Sequence, residues 1–255
     1  MIVDVLIFGG QSNMQGTTRA FPETNPIVEN AYEYRFLTDR LVPLQHPCGE
    51  TIENDLLLQS DGGGTMVPDC CRVYTEKTGH TVVAIHAARG ATMLKEWLKG
   101  TDRYECARKK FAQGIAHAKK LGTLGKIYYL WLQGESDAYY RTTEEEYIHM
   151  LTQYKNDLKQ DVGIDKFGII EIGYFNCMVD WLKHEPYEEM KACDETIMRA
   201  HENAPKHDPD FVLLTQICKE LSLDKQYITV GADGHYNNKG QAIIGKEAGK
   251  ALAEL

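Results

Sequence analysis

The sequence predicts an α/β fold, a flavodoxin-like parallel sheet of about five strands with helices covering both faces. Three observations carry this. Runs rich in branched and aromatic residues recur at 3–8, 82–86, 127–132, 168–174 and 211–217. Charged segments of helical period separate them, at roughly 66–78, 103–121, 143–160, 187–204 and 238–253. Hydrophobic residues make up 43% and charged residues 25% of the 255, the balance of a globular chain with a sizeable core. Strands that alternate with helices need parallel crossovers, and a parallel sheet must be covered on both faces.

Taken in order, the first run (VDVLIF) leads into Gly9 and Gly10 and then "QSNM". The stretch 17–65 fits the strand–helix rhythm poorly. It holds Pro22, Pro26, Pro43 and Pro47 and the turn "DGGGT" at 61–65. Following the first strand, it is expected to lie over the carboxyl edge of the sheet as a substrate-side insertion, forming one wall of the ligand pocket. "GGGT" at 62–65 lacks the Gly-Lys-Ser/Thr of a phosphate loop. The helix that follows carries the adjacent Cys70 and Cys71. The remaining strands and helices alternate to the end, so residues 1–255 read as a single domain.

Charge narrows the partners. A net charge of −9 argues against nucleic acid and anionic membrane, which attract basic surfaces. No run approaches the ~18 apolar residues of a membrane helix. The apolar start has no basic n-region, and its Gly-Gly turn comes early for a signal peptide, so a cytoplasmic protein is expected. Seven cysteines, an odd number without a CxxC pair, read as buried free thiols. No His, Cys and carboxylate cluster has ligand spacing, so neither metal nor organic cofactor is expected. Oligomeric state is left open.

Four stretches at strand exits carry candidate chemistry. Ser12 sits at the end of the first strand, either as a small turn residue or as a nucleophile, and a nucleophile needs a base. "GADGHYNNKGQ", at 231–241, supplies His235 two residues after Asp233; His86, at the end of another strand, is the rival. "YYLWLQGESDAYY", at 128–140, ends a strand in Gln133, whose amide is a candidate donor to an oxyanion. Glu135 follows it as a binder of sugar hydroxyls or a loop anchor. "HAARGATMLKEW", at 86–97, brings Gly90, where no side chain would block a backbone N–H.

Together these blocks resemble the SGNH hydrolase superfamily, and within it the sialate O-acetylesterases and family 6 acetylxylan esterases. "GQSNM" (10–14) is similar to the nucleophile block, "ARGATMLKEW" (88–97) to the glycine block, "WLQGESD" (131–137) to the Q-G-E-x-D block and "DGHYNNKG" (233–240) to the histidine block. The resemblance implies a three-layer α/β/α sandwich, Ser12 as nucleophile and His235 as general base. It implies an oxyanion hole of the Ser12 and Gly90 N–H groups and the Gln133 side chain. Gln11, Asn13 and Glu135 are the candidate substrate contacts. The superfamily often places its acid three residues before the histidine, where this chain has Ala232. The imidazole's partner is then Asp233 first, with a backbone carbonyl, Glu135 or Asp137 as alternatives.

The expected function is a serine esterase that removes O-acetyl groups from acetylated sugars or short oligosaccharides through an acetyl-enzyme. An esterase for other esters and a non-catalytic carbohydrate-binding protein stand beside it. Tyr139, Tyr140, Trp97 and Trp181 are candidate surfaces for stacking a sugar ring, although ordinary packing accounts for most such aromatics.

Overall fold

The computed structural model describes residues 1–18, 20–50 and 63–255. Its centre is a seven-stranded sheet. β1 (Ile2–Gly10) leads through the one-turn helix α1 (Ser12–Gln15) to the hairpin β2 (Ala31–Arg35) and β3 (Arg40–Pro43). Next come α2 (Val67–Thr78), β4 (Thr81–Ala88), α3 (Asp102–Leu121) and β5 (Thr123–Leu132). The chain continues as α4 (Glu135–Tyr139), α5 (Glu144–Asp161), β6 (Lys166–Ile170), α6 (Tyr187–His207) and β7 (Phe211–Thr215). It closes with α7 (Ile217–Leu221) and α8 (Asn238–Leu252). The strand order is β3-β2-β4-β1-β5-β6-β7, parallel except for β3.

Local sequence explains the elements. β1 is buried from Val3 to Gly10 because its apolar residues face a helix layer on each side of the sheet. Thr101 caps α3 by accepting from the Tyr104 N–H, and Thr143 and Glu146 form a reciprocal capping box on α5. Asn237 caps α8 through the Lys239 and Gly240 N–H groups. Right-handed crossovers send α3, α5 and α6 to one face and α2 to the other, where α8 packs on α2. The result is the three-layer α/β/α sandwich.

The core is densest under β5, where Tyr129, Trp131, Tyr154 and Phe167 meet with ring centroids 5.0–6.3 Å apart. The two tyrosine hydroxyls satisfy each other at 2.6 Å. Each such ring contributes roughly 1.5–3 kcal/mol by leaving water.

The five expected strands and five long helices are present, with ends shifted by a few residues. β2 and β3 are additional. They fall inside 17–65, so this segment is not wholly a cover over the carboxyl edge: residues 31–43 extend the sheet beside β4. Asp61 and Gly62 of the glycine-rich turn lie outside the described residues. Among the described residues, no helix is long and apolar enough to cross a membrane.

β1 lies between β4 and β5, with Gly10 level with Ala88 on one side and Leu132 on the other. Three strand exits therefore open onto one edge. The chain winds outward in opposite directions from this point, so a crevice forms where open α/β sheets bind ligands.

Candidate active site

At the end of β1 the backbone turns through Gly10, at φ +147°, and a Cβ there would stand 2.1 Å from the Leu132 carbonyl oxygen. Only glycine permits so close an approach. The Gln11 N–H then donates to the Leu132 oxygen at 3.0 Å, and Ser12 opens α1. The first amides of a helix have no acceptor within it, so the N–H groups around Ser12 are donors to whatever sits above them. His86 supports the turn from β4: its Nε2 lies 2.9 Å from the Met14 carbonyl oxygen. Burial pushes its pKa down to about 4, so it is a neutral prop under the serine turn.

The histidine loop brings His235 to the same place. A tight turn from Ala232 closes when the His235 N–H donates to the Ala232 oxygen at 3.0 Å, and that carbonyl also faces Nδ1 at 3.2 Å. A carbonyl only accepts, so Nδ1 carries the proton and Nε2 is the basic nitrogen. The Phe175 ring meets the imidazole edge-on at 5.2 Å. Asp233 lies near Asp180 and Lys183. Of the partners the sequence offered, the backbone carbonyl of Ala232 faces Nδ1 of the ring. Gly234, at φ +77°, takes the left-handed conformation between Asp233 and His235.

Gln133 is fully buried and points inward. Its Nε2 donates to the Thr92 oxygen at 2.8 Å and Asp137 Oδ2 at 2.6 Å, and lies 3.2 Å from Gln11 Oε1. Asp137 also accepts from the Leu94 N–H and the Thr142 hydroxyl. This pair ties the exit of β5 to the 92–97 turn. Gln133 is therefore not placed as the oxyanion donor that the motif suggested. Gln11 is the amide at the cavity wall. Its Oε1 faces two N–H donors, Gln133 Nε2 and the Ser136 main chain at 3.3 Å, which orients Nε2 into the cavity.

Asn13 likewise turns away from any substrate. Its Nδ2 donates to Glu135 Oε1 at 2.8 Å, and its Oδ1 accepts from the Tyr236 N–H at 3.2 Å. Glu135 does line the cavity, at the N-terminus of α4. Burial lifts its carboxyl to about 7, against the opposing effect of the Asn13 hydrogen bond. Its Oε2 is buried and has no partner among the described residues. Gly90 is at the wall too, and its N–H is held by Gln15 Oε1 at 2.9 Å.

Ser12, Gly90, Glu135 and His235 thus meet in one cavity of about 480 Å³. The sequence reading missed Phe175 and Asn176, which line it from the segment after β6. Asp194 holds that segment in place: it accepts from the Phe175 N–H at 3.0 Å and Asn176 Nδ2 at 2.7 Å. Their position at a strand exit was the available signal. Trp97 is buried, its Nε1 donating to Thr92 Oγ1, so it offers no stacking surface. A larger cavity of about 710 Å³ lies elsewhere, walled by Thr18, Phe21, His46, Arg72 and Asn238 among others. The described residues of 17–65 line this second cavity and not the one with Ser12.

Residues 2–254 match the family described as carbohydrate esterase, sialic acid-specific acetylesterase. A curated Arabidopsis thaliana protein described as a probable carbohydrate esterase is 24% identical over 190 residues, 66% of this chain and 67% of that protein. The X-ray structure of the protein from that locus superposes with a TM-score of 0.68 at 16% identity, covering 98% of both chains. A catalytic mutant of Axe2, an acetylxylan esterase from Geobacillus stearothermophilus, gives a TM-score of 0.50 at 10% identity, over 96% of this chain and 91% of that one. These likenesses support the three-layer α/β/α sandwich found here. The chain belongs to the carbohydrate esterase family of sialic acid-specific acetylesterases and is a carboxylic ester hydrolase.

Proposed function

We propose that this protein is a serine esterase that removes O-acetyl groups from acetylated sugars or short oligosaccharides. One observation carries the reading: Ser12 and His235, from opposite ends of the chain, line a single cavity, and the imidazole is in the tautomer that leaves Nε2 basic. Ser12 Oγ attacks the ester carbonyl carbon while Nε2 takes its proton. The developing oxyanion is received by the Ser12 N–H and the Gln11 amide, and by the Gly90 N–H once Gln15 releases it. Each preorganised donor of this kind supplies about 3–4 kcal/mol. Collapse of the tetrahedral intermediate expels the sugar oxygen, which His235 protonates. Water, deprotonated by the same nitrogen, then releases acetate and restores the serine.

The test is acetate release by the native protein and by Ser12→Ala, with far-UV circular dichroism as the fold control. A loss of about a thousandfold or more in a folded variant is expected. Equal turnover by both would remove Ser12 from the mechanism.

A further inference from the structure

Among the described residues five large aromatic rings are exposed, and three of them gather in one place. Tyr139, Tyr140 and Trp181 retain 37%, 65% and 60% of their surface, whereas Trp97 and Trp131 are fully buried. The three rings form a chain, Tyr139 lying 5.0 Å from Tyr140 and 5.8 Å from Trp181 by centroid, each pair edge to face. All three line the cavity that holds Ser12 and His235. Rings packed only for stability would lose this surface to neighbours; here they frame the entrance to a reactive serine.

What faces the rings is polar and uncharged, or acidic. Asn176 donates both amide hydrogens inward, to the Glu135 oxygen at 2.9 Å and to Asp194 Oδ1 at 2.7 Å, so its own Oδ1 is left to accept on the cavity side. No Lys or Arg lines the cavity among the described residues. Lys183 pairs with Asp180 at 2.7 Å, and Arg141 with Glu189. A ligand that suits this mouth has an apolar face to lie on the rings, hydroxyls to donate at its edge, and no carboxylate. A pyranose ring without an acid group has all three.

Resting on the esterase reading above, we propose that Trp181 and Tyr140 form a stacking subsite for a second sugar ring, and that the preferred substrate is a neutral acetylated glycoside of two or more rings. The cavity volume is compatible with this, since an acetyl group alone would leave much of it empty. The family's description names sialic acid, but no Lys or Arg among the described lining residues would meet a sialate carboxylate near Glu135.

The experiment uses mono-acetylated methyl xyloside and mono-acetylated xylobiose as one-ring and two-ring neutral probes, and O-acetylated sialic acid as the charged one. The two-ring probe is expected to exceed the one-ring probe about tenfold in kcat/KM, mainly through KM, and the sialic acid to trail both. Trp181→Ala should bring the two-ring to one-ring ratio close to one, and Trp181→Phe should restore most of it. No ring-number advantage, an unchanged ratio in Trp181→Ala, or a preference for the sialic acid would each overturn the proposal.

Binding separates this proposal from the esterase reading. Trp181 is the exposed one of three tryptophans, so the red edge of the protein's fluorescence reports it. Titrating Ser12→Ala with acetylated xylobiose should shift that emission saturably to the blue. A shift without turnover by the native protein keeps the subsite and removes the esterase. Turnover without a shift does the reverse.

Discussion

Asn13 and Glu135 join across 2.8 Å, from the Ser12 turn to the start of α4. Asn13 Oδ1 also accepts from the Tyr236 N–H, next to His235. One amide therefore ties together the segments that carry Ser12, Glu135 and His235. Removing it in Asn13→Ala leaves a buried carboxylate oxygen and a buried N–H without partners. We expect a loss of about 2–4 kcal/mol in urea unfolding and a fall of at least about tenfold in kcat/KM. A folded, fully active variant would show that the loops hold their spacing without it.

Stability should fall as pH rises. Burial lifts Glu135 from 4.5 to about 7 and Asp194 from 3.8 to about 6. An acid whose pKa is raised by folding keeps its proton in the native state where the unfolded chain has lost it. Its contribution is complete below the unfolded value and disappears as pH climbs through the folded one. The urea midpoint should decline from about pH 5 to about pH 8, and Glu135→Gln should flatten part of that decline. A slope identical in the variant would contradict the assignment.

Under the proposed serine mechanism, the carbonyl behind His235 leads to an unusual expectation. Where an aspartate holds the imidazole, its amide variant loses about 10⁴ in kcat. Here Asp233→Asn should retain activity within about threefold, because Nδ1 faces the Ala232 oxygen. His235→Ala should lose about a thousandfold or more. Steady-state kinetics on an activated acetate decides the matter, and a collapse of Asp233→Asn would put the carboxylate back on the ring.

The two glutamines of the site should separate by phenotype. Gln133→Ala takes a buried donor from the Thr92 oxygen, Asp137 Oδ2 and Gln11 Oε1, so it should appear first in stability, by about 1–3 kcal/mol. Gln11→Ala removes an amide at the cavity wall and should appear in kcat, by about a hundredfold, with little change in melting. The opposite pattern would make Gln133 the donor after all.

How much of this was legible in the sequence depends on what kind of signal each feature leaves. Strands buried on both faces leave continuous apolar runs, so β1, β4, β5, β6 and β7 could be read directly. The edge hairpin could not: "AYEYR" carries Glu33, and "RLVP" is half exposed. Among the site residues, Ser12, Gly90 and Glu135 meet because strand exits in a parallel sheet share one edge, and the segment before α8 brings His235 to them. Whether a side chain there points out or in is decided by its neighbours. Gln133 found acceptors in Thr92 and Asp137, and Asn13 found Glu135 and Tyr236. Local sequence carries no trace of those distant partners.

The hairpin that the sequence hid has a consequence for the solubility of the molecule. A parallel sheet that stopped at β4 would present a fully buried, hydrophobic strand edge, an invitation for a foreign strand to add on. Instead β2 pairs with β4, and β3 closes that side in the antiparallel sense with four residues from Arg40 to Pro43. So short a border, with a cation at one end and a residue without an N–H at the other, gives an incoming chain little to pair with. The segment that contributes no described wall to the Ser12 cavity thus guards the sheet that carries it against self-association.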